Sequence, residues 1–170
     1  MRRPDKGQWR QRHLLLAAAV TLLVAAISSV TLLSERGQPD LASTTINPGN
    51  PEQVALGRRI YSEQCAQCHG VNLEGQPNWR SRGPDGRLPA PPPDASGHTW
   101  HHPDAMPFRI TRDGTSAVVG GGYESDMPGF GGVLSDTEIR AVLAFIKSTW
   151  PDRERGLQER QSRILREAAQ

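Results

Sequence analysis

The chain has 170 residues, enough for one ordinary domain with appendages, and only 36% of them are hydrophobic. Its 17 glycines and 14 prolines predict a thin core with many loops, which needs something besides side chains to fill it. The net charge is +2, but residues 51–150 carry nine Arg and Lys against eleven Asp and Glu, which argues against nucleic acid as a partner.

The first 50 residues are predicted to be a membrane anchor and its tether. A basic segment, residues 1–13, precedes an uncharged apolar run from Leu14 to Leu33. In a helix these residues span about 30 Å, the thickness of the hydrocarbon core of a bilayer. The run is therefore predicted to be a transmembrane helix, or alternatively a signal peptide with a cleavage site near residues 24–26. The positive-inside rule places the basic end in the cytoplasm, and residues 34–50 read as a flexible linker.

A first helix is predicted to begin at Pro51. Asn50 is a suitable N-cap, and Gln53 is placed to reach back and close a capping box. Gly57 lies on the apolar face of this helix, where glycine costs about 1 kcal/mol relative to alanine, so a second helix is expected to approach closely there. The remaining apolar positions of that face are Val54, Ile60 and Tyr61.

Both cysteines lie in the motif CAQCHG that follows this helix, as Cys65 and Cys68, with His69 directly behind. A redox dithiol is normally embedded in a βαβ pattern with apolar strands, which the region lacks. A structural zinc site needs four ligands, and the chain has no second cysteine pair. C-x-x-C-H is instead typical of covalent haem attachment, in which the thiols form thioethers with the vinyl groups and the imidazole is the proximal iron ligand.

The segment SGHTWHHPD, residues 96–104, gathers three histidines around a tryptophan. Because imidazole is a good copper ligand, His98, His101 and His102 offer a copper-handling function as one alternative. The other interpretation is that the segment makes loop hydrogen bonds and contacts a haem. Contacts with the haem edge or its propionates are then expected from three residues, Trp79, Arg82 and Trp100.

The last clear helix is predicted to begin at SDTE, where Ser135 and Glu138 can form a capping box, and to end before Pro151. Its apolar stripe consists of Ile139, Val142, Leu143, Ile146 and Trp150. Residues 151–170 are highly charged and have no wide apolar face. They are predicted to form a solvated tail.

Residues 51–150, with the motif and helices described above, resemble the class I cytochromes c, and more narrowly the membrane-anchored bacterial monohaem members. The resemblance implies an all-α fold wrapped around one covalently bound haem c, preceded here by a single N-terminal transmembrane helix. It also implies that the last helix crosses the first near a right angle. In that family a glycine of the first helix faces an aromatic residue of the last helix, and the corresponding pair here is Gly57 and Phe145.

The resemblance further implies a loop that carries a methionine as the second axial ligand. Residues 70–135 are predicted to be mostly loop, with one short helix at about residues 104–112. Met127, which is followed by Pro128 and lies just before the last helix, matches the ligand loop of the family. Met106 is the alternative distal ligand, although it can equally be a core-filling side chain of the short helix.

The function implied is that of an electron carrier rather than an enzyme, with single electrons passing through the haem edge near Cys65. The expected partners are redox complexes of the bacterial cytoplasmic membrane: a quinol-oxidising complex, a terminal oxidase or a dehydrogenase. The haem domain is expected to face the periplasm, and no small-molecule substrate is expected. Its one lysine, Lys147, predicts docking that depends little on ionic strength. A haem with an open sixth site, as in a gas sensor or peroxidase, stays an alternative.

Overall fold

The computed structural model describes residues 45–168, and all of its regular structure within that range is helical. The α-helices are α1 (Pro51–Ile60), α2 (Ala66–His69), α3 (Ala105–Asp113), α4 (Thr115–Val119), α5 (Asp136–Ser148) and α6 (Asp152–Ala168). A π-helical turn, Tyr61–Cys65, joins α1 to α2, and a 3-10 turn occupies Thr99–His101. The all-α prediction is confirmed for the described residues, and α3 lies where the short helix was expected.

The predicted transmembrane helix at residues 14–33 lies outside the described residues, as do the basic segment before it and most of the linker after it. Between residues 45 and 168, no helix combines the length and the apolar character needed to cross a bilayer. The anchor therefore stays a prediction from the sequence.

Helix α1 begins where the sequence predicts, but its cap differs from the prediction. The Oδ1 atom of Asn50 accepts hydrogen bonds from the backbone N–H groups of Glu52 and Gln53, both at 3.0 Å, which confirms the N-cap. Gln53 does not close a capping box. Its Oε1 accepts from the N–H of Asn47 at 2.8 Å, and its Nε2 donates to the carbonyl of Thr45 at 3.0 Å. The end of the predicted linker is thereby fastened to α1 by a buried glutamine.

The contact between α1 and α5 is the most extensive helix–helix contact of the described residues. Gly57 lies where the two helices meet, because a Cβ added there would be 1.9 Å from the carbonyl oxygen of Ala141 and 2.9 Å from Cβ of Phe145. Phe145 also packs against Tyr61, with ring centroids 5.4 Å apart. The predicted pairing of Gly57 with Phe145 is confirmed, and the backbone at Ala141 is the nearer neighbour.

Helix α5 supplies about half of the core. The predicted capping box is confirmed, since Glu138 N donates to Ser135 Oγ at 3.3 Å and Ser135 N donates to a carboxylate oxygen of Glu138 at 2.9 Å. Every residue of its predicted apolar stripe is buried. The core consists of Ile60, Tyr61, Ala66, Leu73, Leu134, Ile139, Val142, Leu143, Phe145, Ile146 and Trp150.

Helix α6 corrects the prediction of a solvated tail. Its Gln158 and Ser162 are 1% and 3% exposed, and both bind Asp104 at the start of α3. Gln158 Nε2 donates to Asp104 Oδ1 at 2.6 Å, and Asp104 N donates to Ser162 Oγ at 2.8 Å. The same carboxylate lies 3.3 Å from Nζ of Lys147, which is buried in α5. Because polar groups fasten α6, a search for apolar stripes does not detect its packing.

Substituting Gly57 by Ala is expected to destabilise the domain by about 3 kcal/mol, because the added methyl group collides with the backbone of α5. The matched control is Gly156→Ala in α6, where a Cβ meets only the end of the Arg160 side chain at 3.5 Å. That substitution is expected to stabilise the protein by up to about 1 kcal/mol through helix propensity. Denaturant unfolding of both variants tests the contact, and equal effects of the two changes would contradict it.

Candidate functional site

The C-x-x-C-H motif occupies the end of the first helical segment, where the π-helical turn that follows α1 runs into α2. Cys65 ends the π-helical turn, and α2 carries Cys68 and His69. Residues three apart lie on the same side of a helix, so the two thiols are available to one ligand. Cys65 is partly buried, Cys68 is exposed, and the two sulfur atoms are not joined in a disulfide.

The imidazole of His69 is oriented by the backbone of a proline-rich loop. Its Nδ1 lies 2.8 Å from the carbonyl oxygen of Pro91. A carbonyl oxygen can only accept, so Nδ1 carries the proton and donates it to this bond. In the neutral ring, Nε2 then keeps its lone pair and is the nitrogen that can bind a metal.

The loop that holds His69 is itself fixed at both ends. On one side, the N–H of Gln76 donates to the carbonyl of Ala90 at 2.8 Å, and the N–H of Ala90 donates to Oε1 of Gln76 at 2.9 Å. On the other side, the buried indole of Trp150 donates from Nε1 to the carbonyl of Pro93 at 2.9 Å. The end of the last core helix therefore positions the partner of His69.

Sequence reasoning missed the roles of Pro91 and Pro93. A signal was present, since a run of three prolines has no N–H donors and leaves its carbonyl groups to accept from side chains. Trp150 was expected to be buried, but a buried indole also needs an acceptor for its N–H. Together these two facts predict that the indole of Trp150 donates to a backbone carbonyl, but they do not identify which residue carries that carbonyl.

Burial favours the neutral forms of two ionisable groups at the motif, the thiol of Cys65 and the hydroxyl of Tyr61. Burial raises the pKa of the Cys65 thiol to about 11, and the nearby Cys68 thiol adds to this effect. Burial also raises the pKa of Tyr61, whose hydroxyl donates to the carbonyl of Gly70 at 2.8 Å. At neutral pH the Cys65 thiol and the Tyr61 hydroxyl are therefore uncharged hydrogen-bond donors.

The two candidate methionine ligands lie in different kinds of structure, and both are half-buried. Met106 lies in the first turn of α3, whereas Met127 lies in the non-helical segment between α4 and α5. The backbone N–H of Met127 donates to Oγ of Ser125 at 3.2 Å. Beyond it, the N–H of Phe130 donates to the carbonyl of Thr111 at 2.9 Å, which joins the segment to the end of α3. Met127 as the distal ligand stays a prediction.

The three histidines of SGHTWHHPD do not form the copper site that was considered as an alternative. The ring of His98 stacks on Trp79 with centroids 5.8 Å apart, and the ring of His101 stacks on Trp100 at 3.6 Å. His98 and His102 do lie edge to face, with ring centroids 5.5 Å apart, but His101 stacks on Trp100 instead of joining them. Across residues 45–168, no three His, Cys, Asp or Glu side chains are grouped so as to hold a metal ion, which also argues against zinc.

The residues predicted to contact a haem edge or its propionates have partners within the protein. Arg82 donates from a terminal nitrogen to the carbonyl of Gly86 at 2.6 Å. Trp100 donates from Nε1 to the carbonyl of Ala95 at 3.2 Å, and this bond uses the only N–H of the indole. In this structure the indole N–H of Trp100 is therefore used within its own loop. Haem contacts of Trp79, Arg82 and Trp100 stay predictions.

A comparison of the sequence with known protein families agrees with this site. The family model described as Cytochrome c matches residues 54–150, more than half of the chain. The chain belongs to the cytochrome c family. Comparison of this cytochrome with curated proteins and with solved structures found no match. The matched range ends at the last residue before Pro151, so α6 lies outside the family domain.

The residues of this cytochrome fit the covalently bound haem c that its family implies. The thiols of Cys65 and Cys68 are unpaired and spaced for two thioethers. His69 offers Nε2 to iron because Pro91 holds the other ring nitrogen. A haem needs one imidazole on its proximal side, and His69 is placed to supply it.

Replacing Trp150 by Phe is expected to destabilise the cytochrome by about 2 kcal/mol, because the buried carbonyl of Pro93 loses its donor. Trp100→Phe is the matched control. It removes a longer and only partly buried bond, so a loss of about 1 kcal/mol or less is expected. Thermal unfolding of both variants measures the difference, and a larger loss for Trp100→Phe would contradict the role of Trp150.

Proposed function

We propose that this cytochrome carries single electrons between redox partners in the bacterial cytoplasmic membrane, using one covalently bound haem c. The observation that supports the proposal best is the orientation of His69. Its Nδ1–H is donated to the carbonyl of Pro91, and its Nε2 is left for iron. The sequence contains a single C-x-x-C-H motif and no other cysteine, which agrees with one haem.

Each side chain of the site would have a separate role in an electron carrier. A haem c bound here supplies reversible one-electron chemistry. Cys65 and Cys68 would hold the group covalently, and His69 would keep one axial position filled. Met127 would fill the other position with a thioether, which raises the reduction potential and leaves no place for a substrate. With both axial positions occupied by protein, electron transfer needs no bond to a substrate.

The proposed location rests on the apolar run from Leu14 to Leu33 and the basic residues before it. We propose that this run anchors the chain and that the haem domain faces the periplasm. The polar residues 34–50 would then give the domain reach over the membrane surface. An anchored carrier encounters partners in the same membrane, so a quinol-oxidising complex, a terminal oxidase or a dehydrogenase is proposed.

The domain surface supports docking that does not depend on lysine. Lys147 is the only lysine between residues 45 and 168, and it is 3% exposed and paired with Asp104. Val71, two residues after the iron-binding histidine, is 74% exposed. An apolar side chain beside the haem attachment motif favours close contact with a partner through surface burial rather than through lysine charges.

The ligand assignment predicts opposite results for two methionine variants of the haem-loaded protein. Met127→Leu is expected to abolish the weak near-infrared band that methionine sulfur gives with ferric haem, whereas Met106→Leu is expected to retain it. The optical spectrum of the air-oxidised protein measures this directly. Loss of the band in Met106→Leu alone would reverse the assignment. A high-spin spectrum in the unaltered protein would instead favour the open-site alternative, a gas sensor or peroxidase.

The docking surface predicts a weak dependence of electron transfer on ionic strength. With its only lysine buried, the haem domain has no ring of lysines for salt to screen. The rate at which native membrane vesicles oxidise the reduced protein is therefore expected to stay nearly constant as salt is added. A steep fall in that rate would contradict the proposal and indicate a charged docking surface.

A further inference from the structure

The chain on either side of Met127 is attached to the domain in two different ways. After the methionine, the N–H of Gly131 donates to the carbonyl of Arg112 at 2.9 Å. Gly129 packs so tightly that an added Cβ would lie 2.7 Å from the carbonyl carbon of Asp113. This side of the segment is therefore held by the backbone of α3.

Before the methionine, the chain has much weaker support. Gly120, Gly121 and Gly122 follow one another with φ values of 69°, 60° and 78°, a conformation that favours glycine. A Cβ added at any of them would meet nothing within 4 Å, so this stretch is not packed against the domain. An open depression of about 440 Å³ lies between it and residues 82–86.

Arg87 connects the domain to the residues that follow this glycine stretch. One terminal nitrogen of its guanidinium lies 2.5 Å from Oδ1 of Asp126, and its Nε lies 3.6 Å from Oε2 of Glu124. Both carboxylates belong to the residues just before Met127. The backbone of Arg87 is fixed in turn, because its N–H donates to Asp85 Oδ1 at 3.0 Å and its carbonyl accepts from Gly83 N at 2.8 Å.

We propose that Arg87 is a positioning residue for the second axial ligand. Through Glu124 and Asp126 it holds the preceding residues against the domain, so that the thioether of Met127 stays in place. The proposal deepens the electron-carrier function above and rests on its assignment of Met127 as an iron ligand. Since the three side chains are 40%, 68% and 66% exposed, the attraction is screened by dissolved salt.

The test is competition between Met127 and imidazole in the ferric, haem-loaded protein, followed through the near-infrared methionine band. At low ionic strength, Arg87→Ala is expected to raise the apparent affinity for imidazole by about two- to fivefold. Arg87→Lys is expected to fall between that variant and the unaltered protein, because it keeps the charge but loses the planar fork. Asp126→Asn is expected to act in the same direction as Arg87→Ala.

The matched control is Arg153→Ala, which removes another exposed arginine that pairs with a carboxylate, Glu154 at 3.4 Å in α6. Its affinity for imidazole is expected to equal that of the unaltered protein. Added salt provides a second readout: the imidazole affinity of the unaltered protein is expected to rise with salt, and that of Arg87→Ala is not. Neutral imidazole is the probe, so the salt acts on the protein ion pairs.

Two results would overturn the positioning role alone. One is an unchanged imidazole affinity in both Arg87→Ala and Asp126→Asn while the methionine band is present. The other is a rise in affinity of equal size in Arg153→Ala. If the band were missing from the unaltered protein, the assignment of Met127 would fail as well, which separates failure of the proposed function from failure of this inference.

Discussion

The close approach of α1 and α5 at Gly57 is the constraint on which the rest of the described structure depends. Gly57 has no side chain, and the backbone of Ala141 in α5 occupies the space that a side chain at this position of α1 would need. The motif begins at Cys65, about two helical turns beyond this contact, and Trp150 follows the other helix at its end. Because the crossing fixes both helices, it also fixes the distance between the histidine and the tryptophan that together hold the proline loop.

A small core explains why polar contacts carry so much of the architecture. Pro91 and Pro93 connect His69 with Trp150 through two hydrogen bonds, without a strand or helix of their own. Helix α6 is fastened in the same manner, through Asp104 and its partners. Removing one partner of such a buried contact leaves a desolvated polar group, so each bond matters more than its net strength indicates.

The regular part of the fold follows from local rules and was predictable. Helix caps at Asn50 and Ser135, the apolar stripe of α5 and the awkward glycine at position 57 are each visible in a few residues. What escaped prediction depends on residues far apart in the chain. Gln158 shows no apolar pattern, and its partner is 54 positions away. The stacking of His98 on Trp79 likewise could not be predicted from the segment SGHTWHHPD, because Trp79 lies outside that segment.

The central claim is that this cytochrome carries one haem attached through Cys65 and Cys68, and intact mass spectrometry under denaturing conditions tests it most directly. The protein would be produced with the haem-attachment machinery of a bacterial periplasm. The account predicts the mass of the chain plus one haem, and loss of that added mass when both cysteines are replaced by Ala. An unmodified chain, or a haem that separates on denaturation, would contradict it.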